Sequence, residues 1–277
     1  KKIIKTFSPN VVIGVGGYAS GPTLKMANKL NIPTLIQEQN SYAGLTNKLL
    51  SKGVKRICVA YANMDVFFPK EKLVLTGNPV RKDIIDLTLK IDEARKSFSI
   101  SSECKVVLVL GGSLGARSIN EGLLKNLNEV KSNNIHIIWQ TGSRYFEKIN
   151  SDVKKQEIEN VTVLSFIKKM DFAYAASDII VSRAGALSIS EISIVGKPSI
   201  LVPSPNVSED HQTKNAMSLV QQQAAILVKD EDSELILSKA IELINDEDKC
   251  TLLKRNISAL GRPNASKDIV DEIVKIS

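Results

Sequence analysis

The chain has 277 residues, 43% hydrophobic and 24% charged, with a formal net charge of +7. That is an ordinary composition for a globular protein with room for two cores, and it excludes fibrous and disordered classes. No apolar run approaches the roughly 20 residues of a membrane span, and the start KKIIKTFSPN has no signal-peptide pattern, so a cytosolic protein is expected.

The cysteines, Cys58, Cys104 and Cys250, are odd in number and far apart, and only His136 and His211 exist. Neither a disulfide framework nor a metal cluster is expected. The charge is uneven. Residues 1–86 hold 13 Lys and Arg against 5 Asp and Glu, whereas the remainder holds 24 against 25. A basic surface confined to the first third suits phospholipid headgroups, a phosphorylated substrate or, least well, nucleic acid; the plain alternative is a solvated lysine-rich face.

In chain order, Val11 to Gly14 reads as a strand, followed by the loop GVGGYASG and a helix opened by Pro22. Strands follow at TLIQEQN, Lys55 to Ala60 and Leu73 to Leu75, with a helix near Ala43 to Ser51. These apolar strands alternate with helices, which predicts a parallel sheet covered on both faces. Ile84 to Ser102 lacks Gly and Pro and is expected to be helical, crossing to a second unit.

That second unit begins with KVVLVL (Lys105 to Leu110), the loop GGSLGA and a helix whose Ser118 and Glu121 have the spacing of a capping box. Strands at Ile135–Gln140, Val161–Leu164, Asp178–Ser182, Ser199–Val202 and Ala224–Val228 alternate with helices, the last of them preceding a helix from Ser233 to Ile244. Six β/α repeats of this kind predict a doubly wound sheet. Two more helices close the chain. The expected division is residues 1–85, 86–262, and a terminal helix 263–277 packing back on the first domain.

The stretch SDIIVSRAGALSISEIS (Ser177 to Ser193) combines a strand, a loop of small residues and a helix start at Ala186. A helix start offers unpaired N–H groups and about +0.5 of dipole charge, so a diphosphate can sit there. Glu191, three residues after Ser188, could accept from the two hydroxyls of a ribose; alternatively Ser188 and Glu191 form a capping box. Ser113 reads as a phosphate donor or a turn residue, and Arg81 as a ligand-binding guanidinium or a surface arginine. There is neither a G-x-G-x-x-G nor a P-loop signature, so the glycine-rich loops taken singly say little.

Taken together they say more. GGYASGP, EQNSYAGLTNK, GNPVR, GGSLGAR, SRAGALSISEI and EDHQTKNA, in this order and spacing, resemble the MurG family of bacterial N-acetylglucosaminyltransferases over essentially the whole chain. The resemblance implies an α/β GT-B fold of two Rossmann-like domains, the first incomplete. It implies transfer of N-acetylglucosamine from UDP-N-acetylglucosamine to lipid I, giving lipid II, by a peripheral enzyme on the anionic cytoplasmic face of the bacterial inner membrane, with no metal, cofactor or nucleic acid.

By motif it also implies that Ser113 contacts the donor phosphate and that the backbone of Ile167 pairs with the uracil. Ala186, Leu187, Ser188, Ile189, Ser190 and Glu191 would line the diphosphate and ribose; Asn40 and Gln212 would reach the sugar hydroxyls, and Arg81 the donor. The family's histidine-bearing glycine-rich loop would precede Lys1, with two to three further β/α units of roughly 30 residues each. A fragment or a late-start reading of the gene is therefore expected, and the catalytic residue stays unassigned. Lys168, Lys169 and His211 depart from the family pattern without touching these contacts. A nucleotide-sugar epimerase of similar fold and a catalytically incomplete UDP-sugar binder are the rival readings.

Overall fold

The computed structural model describes residues 1–277. In chain order its regular elements are α1 (Lys2–Phe7), β1 (Val12–Gly14), α2 (Ser20–Lys29), β2 (Thr34–Glu38), α3 (Leu45–Leu50), β3 (Arg56–Val59), β4 (Leu73–Leu75), α4 (Ile91–Ser97), β5 (Lys105–Leu110), α5 (Arg117–Asn126), α6 (Asn128–Ser132), β6 (Ile135–Gln140), α7 (Phe146–Lys155), β7 (Val161–Leu164), α8 (Met170–Ala176), β8 (Ile179–Ser182), α9 (Ala186–Val195), β9 (Ser199–Leu201), α10 (His211–Val220), β10 (Ile226–Leu227), α11 (Ile236–Asn245), α12 (Glu247–Ala259) and α13 (Ala265–Ile276). They divide into two compact units, residues 1–80 with 262–277, and residues 81–261. The first unit ends at Val80 rather than at residue 85, and it includes α13.

In the first unit four parallel strands run in the order β1-β2-β3-β4. Side chains alternate across a strand, so β2 and β3 send Ile36, Ile57 and Val59 to one face and Leu35 and Cys58 to the other. The former pack with Leu24 of α2, Leu50 of α3, Met64 and Phe68. The latter meet Ile269 of α13, with Ile273 and Ile276 beside it. Arg56 donates from Nε to Glu272 Oε2 at 3.1 Å, which fastens α13 to β3.

The second unit is a six-stranded parallel sheet in the order β10-β9-β8-β5-β6-β7. Counted from β5 this is the doubly wound order, with a switch point between β5 and β8, where consecutive connections leave for opposite faces. The registers make all six strands end on one row: Leu164 opposite Gln140, Gln140 opposite Leu110, Leu110 opposite Ser182, Ser182 opposite Leu201, and Leu201 opposite Leu227. Every strand-to-helix loop therefore leaves from a common edge. β5 is apolar on both faces because helices cover both, and Val107, Val109, Ile119, Leu123, Ile135, Ile137 and Trp139 share one buried cluster with Leu237 and Leu243.

Two helices are shorter than the sequence pattern predicts. Within 84–102 only α4 is an α-helix, since the Asp86 carboxylate accepts from the Thr88 N–H and offers the chain a turn in place of a helical bond. α11 starts at Ile236 rather than at Ser233, after a 3₁₀ segment Asp230–Leu235 whose first side chain is bonded to Arg183 and Ser118.

Candidate functional site

The switch point places two loops side by side. The first, Gly111 to Ala116, is folded hard against the loop after β6. Gly115 has φ +82° and Gly142 φ +83°; a Cβ on Gly142 would lie 2.2 Å from the Gly115 nitrogen. Only glycine at both positions lets the two backbones meet. Beneath them the buried Trp139 donates from its indole N–H to Asn120 Oδ1 at 3.0 Å, and Asn120 donates to the Thr141 carbonyl at 3.0 Å. The loop stands on this hydrogen-bonded floor, with Ser113 at its exposed tip.

The second loop runs from Arg183 into α9. Gly185 is the N-cap in an extended conformation, no side chain caps the helix, and the ladder begins with Ile189 N–H donating to the Gly185 carbonyl at 3.0 Å. The N–H groups of Ala186, Leu187 and Ser188 therefore precede the ladder and point out of the helix start. Gly196, with φ +64°, closes the helix in the left-handed conformation.

This geometry corrects both capping-box expectations. Ser188 lies inside the first turn instead of at the cap, so Glu191 has no cap N–H to reach back to. Ser118 likewise follows the cap position Ala116; its hydroxyl donates to Asp230, and Glu121 pairs with Arg117 at 2.8 Å. In both cases the cap is a small residue two or three positions before the serine, Ala116 for α5 and Gly185 for α9.

Glu191, released from a capping role, is held by two other donors. Arg81 donates from Nε to Oε1 at 3.1 Å, and the Tyr174 hydroxyl donates to Oε2 at 2.9 Å. Burial, reinforced by the Glu191 carboxylate, holds the Tyr174 phenol well above its ordinary pKa, so it remains a donor.

The remaining expected residues fall as follows. Ile167 lies in the loop after β7, buried, with its N–H donating to Gln140 Oε1 at 2.9 Å. Gln212, at the start of α10, accepts at Oε1 from the Ser204 N–H at 2.9 Å. Ser190 turns its hydroxyl back onto the Ala186 carbonyl at 3.0 Å, and the Ile189 side chain is buried, which leaves that residue only a structural side-chain role. Ser113, Ile167, Ala186 to Ser188 and Gln212 thus all sit on loops or helix starts at the carboxyl edge of the sheet, with Glu191 one turn further along α9. Asn40 belongs to the first unit, where its N–H donates to Glu38 Oε1 at 3.1 Å. Glu38 is itself buried and also accepts from the Gly44 N–H and from Asn47, so it organises the loop that carries Asn40.

Sequence reasoning missed Tyr174, Arg183, Gln140 and Asp230. Arg183 donates from Nη1 to the carbonyls of Val202 and Pro203 and to Asp230, and from Nη2 to Ser118 Oγ. One guanidinium thereby fastens the ends of β8 and β9, the segment after β10 and α5. A cation directly after an apolar strand was the available signal; Tyr174, one hydroxyl within MDFAYAA, gave none.

Residues 106–273 match the family model of the glycosyltransferase family 28 C-terminal domain, and residues 1–59 match that of the family 28 N-terminal domain. A protein of Flavobacterium psychrophilum named UDP-N-acetylglucosamine--N-acetylmuramyl-(pentapeptide) pyrophosphoryl-undecaprenol N-acetylglucosamine transferase is 54% identical over 275 residues, covering 99% of this chain and 74% of that protein. The crystal structure of Acinetobacter baumannii MurG matches with a TM-score of 0.81 at 32% identity, over 99% of this chain and 76% of that one. The chain belongs to the MurG family, within glycosyltransferase family 28. The parallel sheets with alternating helices are those of the GT-B fold. A UDP-GlcNAc 2-epimerase of Neisseria meningitidis, solved bound to UDP-GlcNAc, shares that fold with a TM-score of 0.67 at 18% identity, over 99% of this chain and 78% of that one. At that identity the likeness to the MurG-family chain is one of fold alone.

Proposed function

We propose that this chain transfers N-acetylglucosamine from UDP-N-acetylglucosamine to the C4 hydroxyl of undecaprenyl-diphospho-N-acetylmuramoyl-pentapeptide, lipid I, and so forms lipid II for peptidoglycan. The observation that carries the reading is the pair of loops at the β5/β8 switch point: the Ser113 loop and the start of α9, with Glu191 on that same helix. A nucleoside diphosphate fits such an edge. Its phosphates take the unpaired N–H groups of Ala186, Leu187 and Ser188 and the Ser113 hydroxyl, and its ribose hydroxyls donate to Glu191. Uracil presents both an acceptor and a donor; the Ile167 N–H is committed to Gln140, so the uracil N3–H would donate to the Ile167 carbonyl.

In the reaction the acceptor hydroxyl oxygen forms a bond to the anomeric carbon from the face opposite the diphosphate, and the bond from that carbon to the phosphate oxygen breaks. The configuration inverts, the hydroxyl proton passes to solvent water and UDP leaves with the electron pair of the broken bond. Charge develops on the departing diphosphate, where the α9 dipole and the Ser113 loop are fixed before the reaction starts. Arg81, paired with Glu191, adds a positive charge near the donor, and Gln212 and Asn40 are assigned to the hydroxyls of the transferred sugar. The second unit is the donor-binding part and the first the acceptor and membrane part.

The membrane assignment rests on charge and on exposed apolar side chains. No helix of the chain is long and apolar enough to cross a membrane. The first unit holds 14 Lys and Arg against 6 Asp and Glu. Between α2 and α3 it also has a groove of about 630 Å³, lined by Tyr18, Pro22, Leu49, Lys25 and Lys29. Apolar groups flanked by lysines suit the anionic cytoplasmic leaflet of a bacterial inner membrane.

The test is product analysis of the purified chain with UDP-N-acetylglucosamine and a soluble lipid I analogue. UDP release that requires the acceptor, with a disaccharide product, supports the reading. Conversion of UDP-N-acetylglucosamine to an epimer without acceptor would replace it by the epimerase reading, and loss of neither donor nor acceptor would reduce it to nucleotide-sugar binding.

A further inference from the structure

We propose that Tyr174 is the positioning residue of the ribose subsite: its hydroxyl pins one oxygen of Glu191 so that the carboxylate presents a fixed acceptor edge to the ribose hydroxyls. This rests on the reading of Glu191 as the ribose acceptor and adds to it the residue that sets the preference for ribonucleotides.

The argument begins with α8. All of its residues except Asp171 are buried, and Tyr174 is 1% exposed. A phenylalanine would fill the same space. The hydroxyl is an added polar atom in an apolar setting, where an unpaired one would destabilise the fold, and Glu191 Oε2 at 2.9 Å is the partner that satisfies it.

The two donors on Glu191 differ in kind. Arg81 reaches Oε1 from a side chain that is 43% exposed, whereas the Tyr174 hydroxyl approaches from the packed interior. The arginine contact can exchange with a ligand at little cost, and the tyrosine contact cannot. A carboxylate offers about four lone-pair directions. With one direction fixed by Tyr174 and one taken by the exchangeable Arg81 contact, the others are left for ligand hydroxyls in a set geometry. Without that anchor only the exchangeable Arg81 contact would hold the carboxylate, and more of its side-chain freedom would have to be lost on binding. The phenol stays protonated, so the anchor is a donor throughout the physiological range.

A site built to accept from a hydroxyl discriminates strongly against the analogue lacking it, because its own polar group is then left unpaired. Tyr174 should therefore act on the ratio of affinities for ribo- and deoxyribonucleotides more than on fold stability. The experiment is titration calorimetry of the full chain with UDP, 2′-deoxy-UDP and 3′-deoxy-UDP, for the unaltered chain, Tyr174→Phe, Glu191→Ala and the double variant. The expected result is a fall in the UDP to deoxy-UDP affinity ratio on the order of tenfold in Tyr174→Phe, with deoxy-UDP affinity nearly unchanged. In the Glu191→Ala background the tyrosine substitution should change the ratio no further, as it must if Tyr174 acts through Glu191.

An unchanged ratio in Tyr174→Phe, beside a lost one in Glu191→Ala, overturns the role of Tyr174 and leaves Glu191 as the ribose acceptor. An unchanged ratio in Glu191→Ala overturns both. A further fall in the double variant overturns action through Glu191. Should Tyr174→Phe not fold, Tyr174→4-fluorophenylalanine keeps the volume, removes the donor and carries the same outcomes.

Discussion

Gly115 and Thr141 meet so closely that a Cβ on the glycine would lie 2.2 Å from the threonine carbonyl oxygen. The contact welds the loop after β5 to the loop after β6, and φ +82° at Gly115 adds a backbone penalty for any other residue. Gly115→Ala is expected to lower stability by at least about 2 kcal/mol and to move the Ser113 tip. Trp139 is the sole tryptophan and is fully buried beneath these loops, so its fluorescence follows unfolding of the second unit. A denaturant midpoint equal to that of the unaltered chain, together with unaltered UDP affinity, would refute the prediction.

Arg183 connects four segments through one planar group. Arg183→Ala leaves two carbonyls without this donor and the Asp230 carboxylate with the Ser118 hydroxyl but no cation, and breaking a largely buried pair in this way destabilises by about 3 kcal/mol. Arg183→Lys is expected to recover less than half of that, because one ammonium cannot reach both sides as the guanidinium fork does. Chemical denaturation of the three chains compares them directly; a lysine variant as stable as the arginine chain would show that charge alone suffices.

Much of this architecture is legible in the sequence, and the places where it is not have physical causes. KVVLVL, IHIIWQ and the half-buried edge strand VTVL could be read to the residue because each is a short, mainly apolar run rich in β-branched residues. The helix at Ala186 was legible from the small residues before it and the glycine after it. The S-x-x-E pattern misled at Ser118 and Ser188, since local spacing says nothing of which residue the surrounding packing makes the cap. The α4 region misled for two reasons: Ile84 is fully buried by packing that no local pattern displays, and the Asp86 carboxylate takes the Thr88 N–H two residues on, a turn that competes locally with the helix. Tyr174 and Asp230 act through partners 17 and 47 residues away, beyond any local pattern.

His136 is buried on β6, with Nε2 2.8 Å from Thr162 Oγ1, and burial lowers its pKa below the ordinary value. The folded chain therefore resists its protonation, while the unfolded chain takes up the proton near the ordinary histidine pKa. Stability should fall as pH drops below that value and level off below the lowered folded-state pKa. His136→Gln keeps a polar partner for Thr162 and removes the titration. The stability difference between neutral and mildly acidic pH is then expected to be smaller in the variant, by denaturant midpoints at each pH; equal slopes for both chains would rule His136 out as the source.

The charge division gives the last prediction. The second unit, with 23 Lys and Arg against 24 Asp and Glu, is close to neutral, while the first carries an excess of eight positive charges. Each lysine held near an anionic leaflet contributes about 1 kcal/mol at physiological ionic strength. Co-sedimentation with vesicles containing anionic phospholipid should therefore exceed that with purely zwitterionic vesicles, and should decline as salt approaches about 0.5 M, where screening confines the attraction to a few ångströms. Lys25→Glu with Lys29→Glu reverses two charges at the rim of the α2–α3 groove, and should weaken the association by at least about tenfold. Leu49→Asp separates the two contributions. If it abolishes binding that high salt leaves intact, apolar contact dominates and the electrostatic account is wrong; if binding is lost in salt and kept in Leu49→Asp, the lysines carry it.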